Sequence, residues 1–414
     1  MKWANRFRHL TAERPLAWAQ LSHQKARLTV AITGVAFANI LMFAQLGLRA
    51  VLFDGITLIH ENLNGDLFLM SSFSQALGFQ TFARIHLYQA NAVPGVNSAS
   101  SLYILGRVDW INPEQLSEQP DLAFPPDQDS SKSKEVKVFP DRVKILAFNP
   151  AQPAFALPEV NQQLEKLKEP GTILYDRLSQ DALGPIPDLL KQEPNVITVM
   201  GNRRTRVTGL FTLGSTLFTK GHVIMGDGSY IDYAGPDSLE NVSVGLLSLD
   251  PGADLLQVQT QLQKTLPASV EVLTRAELIQ KEVTYYESDP SGVVLNFGAV
   301  MGFIVGVIVV YQVLYSDVIE HLPEYATLKA MGFADGALLR VVLQEAMILA
   351  VLGFVPGCIA SVGVYSLLSS LTKIPLSLRP DVMLQVFVLT VIMCMAAGGI
   401  ATQKLRQADP ADVF

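Results

Sequence analysis

Six histidines, His9, His23, His60, His86, His222 and His321, are the side chains best suited to move a proton or hold a metal, and their scatter supports neither role. His60 stands next to Glu61 but lacks the i, i+4 partner that a helical metal site needs. Each of the six is expected to be an ordinary surface or boundary histidine. The metalloprotease pattern H-E-x-x-H is absent, and so is G-x-x-x-x-G-K-[ST], so the chain has no P-loop of its own to cradle ATP. Gly214-Ser215 follows an expected strand but lacks the glycine two residues past the serine that a nucleophile elbow requires. Cys358 and Cys394 both fall in apolar runs, which leaves none for a disulfide framework or a four-thiolate zinc site. No catalytic, cofactor-binding or metal-binding residue is assigned, no cofactor is expected, and the chain is not expected to be an enzyme.

The elements that carry these residues are governed by apolar content. Of 414 residues 49% are apolar and 17% charged, with mean hydropathy +0.29; soluble domains carry about 25% charged residues. That deficit implies lipid-facing segments and excludes disorder, collagen or a coiled coil as a description of the whole. The net charge of -7 argues against nucleic acid as a partner, because binding a phosphate backbone needs a basic face.

A bilayer core needs about 20 helical residues, and four uncharged stretches reach that length: 28–48, 290–316, 346–372 and 382–403. A charge at the centre of any of them would cost about 2.5–3.5 kcal/mol. The first is too long and too late for a secretory signal, so it reads as a retained anchor. The expected fold class is a membrane α-helical protein of four spans with a large α+β periplasmic domain inserted between spans 1 and 2. The expected order is a cytoplasmic interfacial helix in 1–27, span 1 over 28–53, the domain over 54–289 and span 2 over 290–316. A cytoplasmic loop over 317–345 with a short helix at 323–331, span 3 over 346–372, a periplasmic loop over 373–381, span 4 over 382–403 and a cytoplasmic tail over 404–414 complete it. Six Lys/Arg against Glu13 in residues 1–27 place the N-terminus in the cytoplasm by the positive-inside rule.

Residues 54–289 hold 29 Asp/Glu against 18 Lys/Arg, as a domain facing water would. Its size allows two lobes. Apolar runs between turn residues predict strands at 66–70, 101–110, 143–148, 172–175, 196–200, 206–213, 242–249 and 270–273. Helices are expected at 82–90, 158–168, 253–265 and from Arg275 into span 2. The polar, proline-bearing stretch 117–137 reads as a flexible insert.

Within the spans, Gly298, Gly302 and Gly306 recur every four residues and so share one helix face, which permits close approach of a neighbour they do not specify. Gly353 and Gly357 bracket Pro356, a kink that either hinges or is filled by a neighbour. Asn39, Gln45, Asn296 and Gln312 suit interhelical hydrogen bonds more than a substrate path. Between spans 2 and 3, Pro323 fits a first helical turn and Gly332 a helix stop, with Tyr325, Leu328 and Met331 forming an apolar stripe. Such a stripe suits either the bilayer surface or a groove on a cytoplasmic partner.

EYATLKAMGF (Glu324 to Phe333), the glycine-rich MGFIVGVIVVYQVLYSDV before it and LRQADPADVF (Leu405 to Phe414) resemble the permease subunits of the MacB/FtsX-like ABC transporter family. PLAWAQLSHQKARL, ILMFAQLGLRAVLFD and FNPAQPAFALPEVNQQL are closer to the DevC-type subunits associated with cyanobacterial heterocyst glycolipid export. The likeness is poorer over 111–142. It implies a homodimer in a bacterial, cyanobacterial inner membrane, working with a separate ABC ATPase that binds the ATP. It also implies a periplasmic membrane-fusion adaptor and a TolC-type outer-membrane duct. Glu324, Tyr325, Ala326, Thr327, Leu328, Lys329, Ala330, Met331 and Gly332 would then form the coupling helix seated on that ATPase. A signalling protein of the FtsX type, which moves a cell-wall hydrolase without transport, is the rival from another class. A lipoprotein-releasing permease differs only in cargo.

Overall fold

The computed structural model describes residues 25–118, 141–216, 219–320, 331, 335–372 and 376–402. The chain divides into two units. One comprises residues 1–50 and 290–414, the other Val51–Asp289.

In chain order the helices and strands are α1 (Lys25–Glu61), β1 (Leu67–Ser71), β2 (Phe82–Ala83), α2 (Ile85–Asn91), β3 (Val96–Ile111), α3 (Pro113–Glu118), β4 (Asp141–Phe148) and α4 (Pro158–Asn161). They continue with β5 (Thr172–Asp176), α5 (Ile186–Gln192), β6 (Val196–Met200), β7 (Arg203–Phe211), β8 (His222–Gly226), α6 (Asp227–Ala234), β9 (Asn241–Val242) and β10 (Val244–Leu249). The last are α7 (Leu255–Thr265), β11 (Val270–Thr274), α8 (Arg275–Ser288), α9 (Pro290–Glu320), α10 (Asp335–Thr372) and α11 (Pro380–Ala401).

The α+β unit is organised by one long strand. β3 lies between β10 and β4 in a nine-stranded sheet of order β11-β1-β10-β3-β4-β8-β5-β7-β6, and its far end pairs again with β6. Trp110↔Met200 and Ile111↔Val199 make that second pairing, which closes six strands into a ring. β3 therefore belongs both to the ring and to the open part of the sheet. Between Leu105 and Val108 the register shifts, at a bulge where Arg107 takes φ +61. A bulge bends its strand and lets one strand serve two pairings.

Side chains on the two faces of these strands form separate cores. Leu67, Tyr103, Trp110, Ile145, Tyr175 and Val223 share one with α2 and α7 through Leu87, Val258 and Leu262. Leu146, Phe148, Leu174, Phe211 and Ile224 form the other, completed by Ile59 of α1, Leu63 just past its end and Leu278 of α8. Two helix starts are fixed chemically. Asp254 accepts from the amides of Leu256 and Gln257 at α7, and Thr274 and Glu277 form a reciprocal capping box at α8.

Four helices are long and apolar enough to cross a membrane, with candidate spans Leu28–Glu61, Gly292–Glu320, Leu339–Ser370 and Pro380–Ala401. Their outer faces carry exposed Phe297, Met301, Ile304 and Ile308 on α9, Val351, Val355, Ile359 and Val362 on α10, and Leu384, Val388 and Ile392 on α11. That three-and-four spacing is a continuous apolar face, suited to hydrocarbon.

Several expectations need correction. β8 and its following helix α6 lie between the expected strands 206–213 and 242–249, where no element was expected, although HVIMG is an apolar run between glycines and is buried throughout. Phe82 and Ala83 form a short strand paired with β9 rather than the start of a helix. The helix from Arg275 does not run into the second span: α8 stops at Ser288, Asp289 is extended with ψ 149, and α9 starts afresh at Pro290. A residue before proline is pushed out of the helical region by the ring. The expected interfacial helix of 1–27 before Lys25, the insert of 117–137 beyond Glu118, the short helix of 323–331 other than Met331, and the tail of 404–414 lie outside the described residues.

Candidate functional site

In the apolar-helix unit, the glycine stripe of α9 packs on α1. A methyl added to Gly298 would fall 2.6 Å from Gln45 Cδ, one on Gly302 3.5 Å from Leu41 Cβ, and one on Gly306 2.9 Å from Ala38 Cβ. Numbers rise on α9 as they fall on α1, so the two helices are antiparallel. Gly353 of α10 meets Val35, Gly357 approaches the Ala36 carbonyl oxygen at 3.1 Å for an added methyl, and Tyr365 reaches Gly47 and donates to the Phe43 carbonyl. Here numbers rise together, so α1 and α10 run parallel. α1 is the helix in the middle: 44% of its apolar window is buried, against 22, 28 and 33% in the other three. α10 is continuous through Pro356.

The uncharged polar residues separate into two kinds. Asn39 is fully buried and accepts a 2.5 Å hydrogen bond from Thr390 Oγ1 of α11, and Gln45 lies against Gly298. Asn296 and Gln312 are exposed. Glu345, which bounded the third uncharged stretch in the sequence, is fully buried within α10. Sequence reasoning treated it as an edge and missed it. Of the nine coupling residues named from the resemblance, only Met331 is described, and it is 63% exposed; Glu324 to Ala330 and Gly332 lie outside the described residues.

In the α+β unit, two histidines are not surface groups. His60 is 1% exposed and His222 fully buried, because α1 continues past Val51 onto the second core and because β8 is an inner strand. His86 is half-buried and bonds Gln89. His60 Nδ1 donates to the Ile56 carbonyl at 2.8 Å, while Nε2 lies 2.8 Å from Glu282 Oε2 of α8, at ion-pair distance but outside hydrogen-bond geometry. The Leu77 amide donates to the same oxygen at 3.1 Å. At the start of α8, Arg275 faces the end of α1: its guanidinium donates to the carbonyls of His60, Leu63 and Gly65, and stacks 5.2 Å from the Phe68 ring. α8 is thus clasped to the end of α1 by charged groups as well as by Leu278.

Beneath this clasp, alternation places Lys144, His222 and Asp176 in one row across β4, β8 and β5, on the face that also carries Leu146, Ile224 and Leu174. Asp176 accepts from the amides of Leu178, Leu213 and Gly214 and stands 3.6 Å from His222 Nδ1. Burial holds the His222 ring below the usual imidazole range against the opposing pull of Asp176. Burial also pushes the Lys144 ammonium down, with Glu282 opposing.

An open groove of about 830 Å³ runs along α8 past Gln75, Glu277, Lys281 and Tyr285. Its charged groups are engaged, Glu277 in the capping box and Lys281 with Glu271 at 2.6 Å. No nucleophile faces a base in it, and no group of three or more metal-ligating side chains occurs among the described residues.

The helices α9, α10 and α11 are what can be compared with known families. Residues 296–410 match the FtsX-like permease C-terminal domain. This FtsX-like segment takes in the glycine stripe, the stretch between α9 and α10 and the last apolar helix. No curated protein matches the chain. Among solved structures, the periplasmic region of MacB from Actinobacillus actinomycetemcomitans is similar at 8% identity, covering 56% of this chain and 97% of that one with TM-score 0.34. The extracellular domain of the noncanonic ABC-type transporter YknZ from Gram-positive bacteria is similar at 11% identity, covering 51% and 99% with TM-score 0.29.

Proposed function

We propose that the chain is the non-catalytic permease subunit of an ABC exporter, in which a separate ATPase drives movement of the α+β domain in the periplasm. The observation that carries this reading is the match of residues 296–410 to the FtsX-like permease domain. The apolar helices and the lack of a P-loop in the sequence agree with it. In this reading Tyr325, Leu328 and Met331 seat on the ATPase, and nucleotide-driven closure tilts α9 and α10. The substrate is a lipid-like or amphiphilic molecule, a glycolipid by resemblance to DevC-type subunits, passed to a fusion adaptor and an outer-membrane duct by a homodimer. Leu328→Asp combined with Tyr325→Ala is expected to leave membrane insertion intact and abolish substrate-stimulated ATPase activity of the reconstituted complex. Normal stimulation in that double variant would remove the coupling assignment.

The same family match also accommodates an FtsX-type mechanotransmitter that regulates a periplasmic cell-wall hydrolase without transport. Affinity purification of the tagged protein from native membranes separates the two. Recovery of an ATPase with a fusion adaptor supports export, and recovery of an ATPase with a hydrolase or its activator supports signalling. An intact complex with no ATPase overturns both.

A further inference from the structure

The loop that follows β1 is ordered from within by Ser74. Its amide donates to the Ser71 carbonyl, its hydroxyl donates to the Ala76 carbonyl and accepts from the Gln80 amide, and the Leu77 amide is held by Glu282 of α8. Ala76 and Leu77 are buried, while Phe73 and Phe79 point outward. Phe73 is 76% exposed, more than any large apolar side chain on the outer faces of α9, α10 and α11. No Asp, Glu, Lys or Arg occurs in 72–81. A single exposed apolar residue is ordinary on a protein surface, but two phenylalanines on one ordered, uncharged loop call for a cover.

The course of the loop along α8 identifies that cover. Contacts between the two advance together: Arg275 at the start of α8 meets the Leu63 and Gly65 carbonyls, Glu282 the Leu77 amide, and Tyr285 the Phe79 ring, edge-on at 5.5 Å. The loop thus arrives beside the last turn of α8, where Tyr286 packs edge-on against Tyr285 at 5.1 Å. From Tyr285 the chain takes three helical steps, passes the extended Asp289 and takes two more helical steps to Gly292, where the candidate span of α9 begins. That path is no longer than about 15 Å. The polar interface of a bilayer adds about 5–8 Å to each side of its hydrocarbon core, and aromatic side chains concentrate in that layer. On α9 the exposed apolar face starts at once, with Val293 and Val294.

We infer that Phe73 and Phe79 form a membrane-contact tip on the α+β domain, both rings entering the interface of the bilayer that α9 crosses, beside Tyr285 and Tyr286. The occupant is the lipid surface, because the loop adjoins the residues that lead the chain into an apolar helix. No basic side chain in the loop awaits an anionic headgroup, so the contact is apolar and withstands salt. The inference rests on α9 spanning a membrane, and it holds for an exporter and a mechanotransmitter alike.

The test is photo-crosslinking of the full chain in phosphatidylcholine nanodiscs at high salt, with p-benzoylphenylalanine, which reacts with C–H bonds and not with water. The analogue is placed singly at Phe73, Phe79, Ile197 and Ile304, and lipid adducts are read by mass spectrometry. Ile197 on β6 is 53% exposed and controls for exposure alone, while Ile304 within α9 reports the span. The expected result is a lipid adduct at Phe73 and Phe79 at least about fivefold above that at Ile197, with a strong adduct at Ile304. Yields at Phe73 and Phe79 no higher than at Ile197, beside a strong adduct at Ile304, overturn the membrane tip and leave the span standing. Adducts to protein instead of lipid at Phe73 and Phe79 overturn it as well and assign the loop to a second copy or another protein. Absence of a lipid adduct at Ile304 removes the span itself, and this inference with it. Should replacement at Phe79 disturb its contact with Tyr285, Phe73 alone carries the comparison.

Discussion

The two units hold their helices by opposite means. In the apolar-helix unit, α1 is gripped on both sides through missing side chains: Gly298, Gly302 and Gly306 of α9 on one flank and Gly353 and Gly357 of α10 on the other. In the α+β unit, the end of the same helix is held by Arg275 and Glu282 over an apolar layer containing Ile59 and Leu278. The contrast follows from solvent. Lipid tails are as apolar as leucine, so burying apolar surface gives little drive for helices to associate there, and close backbone approach must supply it. Facing water, apolar burial provides the drive, and the charged groups set register and angle instead.

That comparison can be broken, starting with the largest expected effect. Trp110 is 1% exposed, donates from Nε1 to the Leu183 carbonyl at 2.9 Å and joins the ring closure with Met200. Trp110→Ala is expected to destabilise the α+β unit by about 3–5 kcal/mol, seen as a lowered unfolding transition of that unit in scanning calorimetry while that of the apolar helices stays. Movement of both transitions together would show that the units do not differ in the way described.

In the apolar-helix unit the sharper test is to add volume. Gly357→Leu meets the backbone of α1, which cannot yield, and should cost about 1–3 kcal/mol. Gly399→Leu on α11 meets nothing within 4 Å and is the control; thermal stability in detergent should fall in the first and hold in the second. Equal effects would mean that glycine contacts are not what grips α1. Thr390→Val removes the donor to Asn39 and is expected to cost only about 0.6 kcal/mol, the usual worth of an interhelical hydrogen bond in a membrane.

The smallest effect is a pH dependence confined to the α+β unit. His222 titrates below its ordinary value of 6.5 because it is buried. The unfolded chain therefore takes up a proton, as pH falls through 6.5, that the folded domain refuses, and stability is lost on the acid side. The difference in unfolding temperature between the wild type and His222→Leu should be constant above that pH and change below it. A difference that stays flat down to pH 5 would remove His222 from the account.

Much of the sheet was readable because its strands are apolar runs between turn residues, as at Thr172–Asp176 and Val196–Met200. The break before Pro290 was missed, because a continuous run of helix formers through α8 outweighed the proline's effect on the residue before it. Burial of His60 and His222 was not, because residue type does not say whether a helix continues onto a core or which strand lies inside a sheet. The glycines of α9 announced close packing, while their partner α1 could be named only once the helices were placed. Glu282 carried no sequence signal either: a carboxylate on a polar helix gives no hint that it alone turns inward.

The position of β1 bears on how the domain comes to be made. β1 pairs with β10 and β11, so Leu67–Ser71 finds its neighbours only after roughly 200 further residues have been synthesised, a separation that slows folding. A polypeptide emerging from its N-terminus cannot complete this sheet early. Its edge is completed only when Val270–Thr274 arrives, immediately before α8. The late strand thus postpones completion of the sheet's edge, though not of the six-stranded ring, until nearly all of the domain's chain has been delivered.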